Sequence, residues 1–188
     1  MRAFLPLTAV AALALVGCDS TPDQSAEEEA AATTAVDTST GAPDMATPAN
    51  AQAFVDAAAA SDLFEVESSK LAQTMAKDGA VKDFAAMMVK DHTKSSEDLK
   101  AAAAKASPPP SVAPKLTAAQ QADLDALKGA GGNFDRLYAQ KQVAGHEQAL
   151  AMLRGYADGG DSAPLKDFAG KAVPVVSGHL DAARKLPM

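Results

Sequence analysis

His92, His146 and His179 are the only three histidines of the chain, and each stands where apolar residues recur every three or four positions. His92 shares its stripe with Val81, Phe84, Met88, Ser95 and Leu99. His146 follows Val143 and precedes Leu150 and Leu153, and His179 sits among Ala172, Val175, Val176, Ala183 and Leu186. On helices, that spacing turns each imidazole toward the apolar side. In an earlier segment Glu67 falls with Leu63, Leu71 and Met75, whereas Glu65 falls with Asp62, Ser68 and Ser69. Glu67 is therefore expected inward and Glu65 outward. A buried carboxylate beside three neutral imidazoles suits zinc, copper or iron. The same four groups also suit a hydrogen-bonded core network, and a lone histidine on an apolar face is more often that.

Other residues carry weaker signals. Asp91 and Glu147 each adjoin a histidine and could support an imidazole on their own or a facing helix, though a place at the domain edge is the plainer expectation. Met75, Met87, Met88 and Met152 form no dense methionine cluster, and core packing explains them better than copper(I) ligation. Pro174 falls five residues before His179 and removes a helical hydrogen bond there. Catalytic residues are not expected: the chain has no phosphate-binding glycine loop, nucleophile elbow or zinc-protease signature.

The elements that must position these groups are helices. From Asn50 onward the apolar period is helical throughout. Asn50 can cap a first helix running to about Lys77, and Asp78-Gly79 makes the turn. A second spans about Ala80 to Ala106 and stops at Pro108-Pro109-Pro110. A third follows Gly131-Gly132-Asn133 and runs to about Asp158, and Ser162 with Pro164 opens a fourth that ends near Lys185. Thr117-Ala118-Ala119-Gln120 reads as a capping box for a short extra helix between the second and third. The second and fourth helices open alike, with Val81-Lys82-Asp83-Phe84-Ala85 and Leu165-Lys166-Asp167-Phe168-Ala169, so a helical hairpin reads as duplicated. Short turns within hairpins and a long connection between them predict an all-α, ferritin-like four-helix bundle. Counted from the turns at about 1.5 Å per residue, Glu67, His92, His146 and His179 all fall near mid-bundle.

The start of the chain adds a different chemistry. Arg2, an apolar run from Ala3 to Val16 and Leu15-Val16-Gly17-Cys18 read as a secretory signal too short to span a bilayer as a helix. Leu-Val-Gly-Cys resembles the lipobox of bacterial lipoproteins, which implies cleavage before Cys18 and acylation of its thiol and amine, anchoring the chain in a membrane. Asp19 resembles the inner-membrane retention signal of enteric lipoproteins, a rule that varies between lineages, so inner and outer membrane both stay open. Residues 19–50 hold seven acids and no Lys or Arg, while residues 51–188 hold seventeen acids and sixteen bases. The acidic stretch, poor in large apolar residues, is expected to stay unfolded and to reach roughly 30 Å as a coil. Three parts follow: a signal peptide over 1–17, acylated Cys18 with its tether over 18–49, and the helical domain over 50–188. Cys18 is the only cysteine, so no internal disulfide forms. A near-neutral domain without a basic patch gives nucleic acid no footing.

The segments LFEVESSKLA (63–72), MVKDHTK (88–94), FDRLYAQKQVAGHEQA (134–149) and PVVSGHL (174–180) resemble a bacterial family of unknown function with a ferritin-like fold, whose members are often labelled predicted outer-membrane proteins. The resemblance covers about residues 51–186. It implies a periplasm-facing bundle with recurring acidic and histidine positions, here Glu67, His92, His146 and His179, and no established activity. True di-iron members of that fold use Glu-x-x-His pairs, whereas Val89, Val143 and Val176 stand three residues before the histidines here, so a di-iron carboxylate centre is not expected. Two functions stay open: a non-enzymatic envelope lipoprotein with a structural, interaction or stress-related role and an envelope protein partner, or a metal-binding protein.

Overall fold

The computed structural model describes residues 48–188, so the expected signal peptide, the acylation at Cys18 and nearly all of the tether lie outside the described residues. Within them the chain forms helices α1 (Ala51–Met75), α2 (Gly79–Ala103), α3 (Ala118–Gly129), α4 (Phe134–Gly159) and α5 (Ala163–Ala183), with a 3-10 turn over Gly131–Asn133 before α4. The Asn50 carboxamide accepts from the Ala53 amide at 2.9 Å and starts α1. Asp78 does the same for α2, accepting from Ala80 at 2.7 Å and Val81 at 3.4 Å. The capping box opens α3 as expected: Thr117 accepts from the Gln120 amide and Gln120 accepts from the Thr117 amide. Gly131, at φ +52, takes the left-handed conformation that the turn into α4 requires. Ser162 occupies the cap position of α5, but its hydroxyl makes no capping bond and is buried without a partner. Pro164 in the first turn, with its fixed φ, opens that helix instead.

α1 lies against α2 and α4, while α5 lies against α4 and α2; α3 covers part of α1 and α4. The long connection is tied down on both sides. Gln52 on α1 bonds both backbone groups of Ser111 at 2.9 Å, and Gln120 reaches the Ala60 carbonyl at 3.3 Å. The α1–α2 turn is held by Asp135 at the start of α4, whose carboxylate accepts from the Lys77 and Asp78 amides at 3.1 and 2.9 Å.

The core is split along its length. One end gathers Phe54, Val55, Leu99, Leu153, Tyr156 and Leu165, with Phe54 and Tyr156 stacked at 3.9 Å between centroids. The other gathers Val81, Phe84, Met88, Leu127, Phe134 and Tyr138. Between them lies a buried polar layer: Asp62, Glu65, Ser68 and Ser69 from α1, His92 from α2, Gln142 and His146 from α4, and His179 from α5. The two KDFA repeats fall in opposite apolar ends, Val81 and Ala85 in one and Leu165 and Ala169 in the other. No helix among the described residues is long and apolar enough to cross a membrane.

Candidate metal centre

The polar layer exists because each long helix carries buried polar side chains at the level where all four meet. On α2, His92 takes the place that Met88 and Leu99 hold above and below it, and on α4, His146 lies between Ala139 and Leu150. The three imidazoles are 6, 1 and 5 % exposed for His92, His146 and His179. Their ring centroids are 5.8, 5.4 and 5.5 Å apart. One ring nitrogen from each lies within 4.8 Å of the other two.

Each ring is fixed from behind by an acceptor. His92 Nδ1 donates to Asp62 Oδ1 at 2.8 Å, and Ser96 supports the same carboxylate through Oδ2 at 3.3 Å. His179 Nε2 donates to Asp91 Oδ2 at 3.1 Å. His146 Nδ1 donates to the Gln142 carbonyl at 2.8 Å, one turn back on its own helix. Because the partners are a carboxylate, a carboxylate and a carbonyl, these nitrogens carry the protons. In the neutral rings the opposite nitrogens, His92 Nε2, His146 Nε2 and His179 Nδ1, then present lone pairs, and all three are buried without a hydrogen-bond partner. Three buried lone pairs without a donor have lost their water and gained nothing in its place. A cation bound by these nitrogens would remove that penalty.

A carboxylate also enters the layer, but not the expected one. Glu67 is a correction: its side chain is 44 % exposed and paired with Lys70 at 2.9 Å, away from the histidines. Glu65 is 3 % exposed, with Oε1 3.9 Å from His146 Nδ1 and Oε2 without a partner. The face of α1 that carries Asp62, Glu65, Ser68 and Ser69 looks outward in a sequence reading because it is polar. It faces inward because what it meets is polar: Ser69 bonds the Tyr138 hydroxyl at 2.7 Å, and Ser68 accepts from Gln142 at 3.4 Å. Leu71 and Met75, on the side expected inward, are only partly buried against one apolar end. Gly145 makes room for the carboxylate, since a Cβ there would lie 3.3 Å from Glu65 Oε1.

Asp91 supports His179 across the α2–α5 contact, whereas Glu147 stays at the edge and pairs with Arg184 at 2.8 Å. Met88 and Met152 are core residues, 0 and 2 % exposed. Asp62, Glu65 and Gln142 were not singled out from sequence as site residues. The available signal was spacing: Asp62, Glu65, Ser69 and Ala72 recur every three or four positions as the apolar set does.

The electrostatics of the layer pull its rings in opposite directions. Burial would lower the His92 pKa, but the hydrogen bond to Asp62 and the charges of Glu65, Asp62 and Asp91 outweigh it and raise the ring above its ordinary value. Burial pushes His179 down to about 4, with Asp91 opposing and His92 and His146 adding to the shift. The set is thus built to hold positive charge in one place rather than on three rings.

Compared with known proteins, residues 25–186 match the model of a family described as a domain of unknown function, DUF4142. No curated protein and no solved structure matches the chain.

Proposed function

The chain belongs to the DUF4142 family, and from that premise we propose that it is a metal-binding helical protein whose centre is His92, His146 and His179. Two observations carry this reading: one ring nitrogen from each histidine lies within 4.8 Å of the other two, and each ring is held by an acceptor at one nitrogen while its other nitrogen is buried without a partner. A carboxylate or carbonyl behind each ligating imidazole is how proteins fix a metal-binding tautomer and raise its basicity. Ring nitrogens bind zinc at about 2.0–2.1 Å, which sets ligand atoms of one tetrahedron about 3.3 Å apart, so nitrogens within 4.8 Å of one another would draw together around an ion. Charge favours a divalent cation too, because Asp62, Glu65 and Asp91 surround rings that are neutral when ligating.

Three imidazoles leave one tetrahedral position free, and the donor set suits zinc or copper better than a carboxylate-rich iron pair. Glu65 stands beside His146 rather than among the converging nitrogens, and its role is to offset charge. We read the four long helices as a ferritin-like four-helix bundle, supported by the neighbours each helix takes and by the long α2–α4 connection crossed by α3. We also propose that the protein is an envelope lipoprotein held by Cys18, a reading supported by the lipobox-like Leu15-Val16-Gly17-Cys18 and the acidic residues that follow. The bundle would then act as a tethered, non-enzymatic module that buffers or senses a transition metal on the outer side of the membrane.

The test is metal content. Full-length chain purified without a metal-binding tag should carry near-stoichiometric zinc or copper by elemental analysis, and His92→Gln and His146→Gln should each abolish it. Absence of metal in the wild type, with no shift of its melting temperature on adding zinc or copper, would return the histidines to the status of core residues.

A further inference from the structure

The unpartnered nitrogens of His92, His146 and His179 are shut off from solvent, so no ion reaches them while all three rings stay in place. The rings are not equally secured. His146 donates at 2.8 Å to the carbonyl of the buried Gln142, and His92 donates at 2.8 Å to Asp62, whose side chain is 7 % exposed and is also bonded by Ser96. His179 makes the longest of these bonds, 3.1 Å, and its acceptor Asp91 is the more exposed carboxylate, at 31 %. α5 is also weakened close to this ring. Pro174 has no N–H to give the Gly170 carbonyl, and its own ring crowds that carbonyl. Gly170 and Gly178 stand four residues to either side of Pro174, and all three are exposed. A Cβ at either glycine would meet nothing within 4 Å, so packing does not call for glycine at either place. Each nevertheless weakens a helix about four- to fivefold against alanine. α2, by contrast, has neither glycine nor proline after Gly79, its first residue. Beside α5 there is room: a groove of about 660 Å³ follows the α2–α5 seam, with Asp91, Val175 and His179 in its lining. Val175 is half exposed there, at 50 %, and does little to hold this turn of α5 to its neighbours.

We propose that the stretch of α5 from Gly170 to His179 is the gate of the metal centre and that Asp91 is its latch. The Asp91–His179 bond breaks, the softened stretch unwinds, and His179 swings into the groove, baring the nitrogens of His92 and His146 to an arriving ion. The gate rests on the metal reading above and adds the route by which the ion comes and goes. Such an opening is a local unfolding, drawn from the least secured part of the layer while both apolar ends of the core stay packed. The ion enters the open form and is sealed in when the ring returns. Because the closed form dominates with and without metal, the open fraction multiplies the rates of uptake and release alike. It therefore sets how fast metal is exchanged and leaves unchanged how tightly metal is held.

The experiment follows zinc exchange in the full chain carrying Cys18→Ser, which removes a thiol that would compete for zinc. Release is read as transfer to an excess of a chromophoric chelator, uptake by mixing metal-free protein with zinc, and affinity by equilibrium competition. Gly170→Ala and Gly178→Ala restore helix propensity without touching a ring. Each should slow release and uptake alike by about four- to fivefold, and the pair together by about twentyfold, with the dissociation constant unchanged. Amide hydrogen exchange of the metal-free chain around His179 should slow by the same factors, while exchange around His146 on α4 stays as it was. If zinc binds and both rates match the wild type, α5 is not the gate, and the proposal falls while the metal centre stands. If release slows but uptake does not, so that affinity tightens, the glycines act on the bound form and the gate falls for that reason. If no zinc binds, both readings fall together.

Discussion

At the scale of single residues, the two glutamates on α1 separate what the sequence pattern and the packing each assign. Glu65→Gln removes a buried negative charge beside the ligating rings and should weaken zinc binding about 10–100-fold, as changes behind metal ligands do. Glu67→Gln touches only an exposed pair with Lys70 and should leave it unchanged. Competition with a chromophoric chelator measures both, and equal effects would place Glu65 outside the site. The histidines also predict opposite pH dependences. His92 is raised above its ordinary value, so its protonated form stabilises the metal-free fold below about pH 6.5, and that contribution is lost as pH rises through its folded pKa. The metal needs the same ring deprotonated. As pH rises above 6.5, the melting temperature of metal-free protein should therefore fall while zinc affinity rises. His179, lowered to about 4, works at the acid side: its contribution is present above 6.5 and is lost as pH falls toward 4. A zinc affinity flat between pH 6 and 8 would show that His92 does not exchange its proton for the metal.

At the scale of elements, helix ends and apolar faces were legible because their signals are local. Asn50 and the Thr117–Gln120 box cap the helices that their positions announce, and Asp78, read as part of a turn, also caps α2. Thr117→Ala should cost about 1 kcal/mol, seen as a lower urea midpoint with an unchanged slope. Phe54→Ala, which opens a hole against the stacked Tyr156, should cost about 3–5 kcal/mol, whereas Val175→Ala on the groove should stay within about 0.5 kcal/mol. The inward direction of all three histidines was legible on the same grounds, since each sits on a stripe of large apolar residues. The face of α1 was not. Its buried side carries Asp62, Glu65, Ser68 and Ser69, and only the neighbours it meets in space make those residues interior. Asp91 shows the same limit: its bond to His179 joins residues eighty-eight positions apart, a pairing that neither helix encodes alone.

At the scale of the whole molecule, a ligand that binds the folded chain alone should raise its stability by mass action. With zinc at a hundredfold its dissociation constant, the gain is about 2.7 kcal/mol, and a chelator should reverse it. The stabilisation should be absent in His146→Gln and intact in Glu67→Gln, which ties it to the centre rather than to surface acids. The formal charge of −7 resides in residues 19–50, so weak binding of cations there should be removed by moderate salt while the buried centre keeps its metal.

The division of the core into two oily ends and a wet middle has one more consequence, for how the helices find their longitudinal alignment. A core of uniform Leu and Ala tolerates sliding, because one apolar level resembles the next. Here a slip of one turn, about 5 Å, in one direction would drive His146 into the level of Leu150, and a slip along α2 would strand Asp62 opposite Met88. Each misplacement would bury a polar group with nothing to bond. The layer therefore works as an index mark. It selects a single alignment of four smooth rods, and it does so with the chain's own side chains, bringing the three imidazoles to one level.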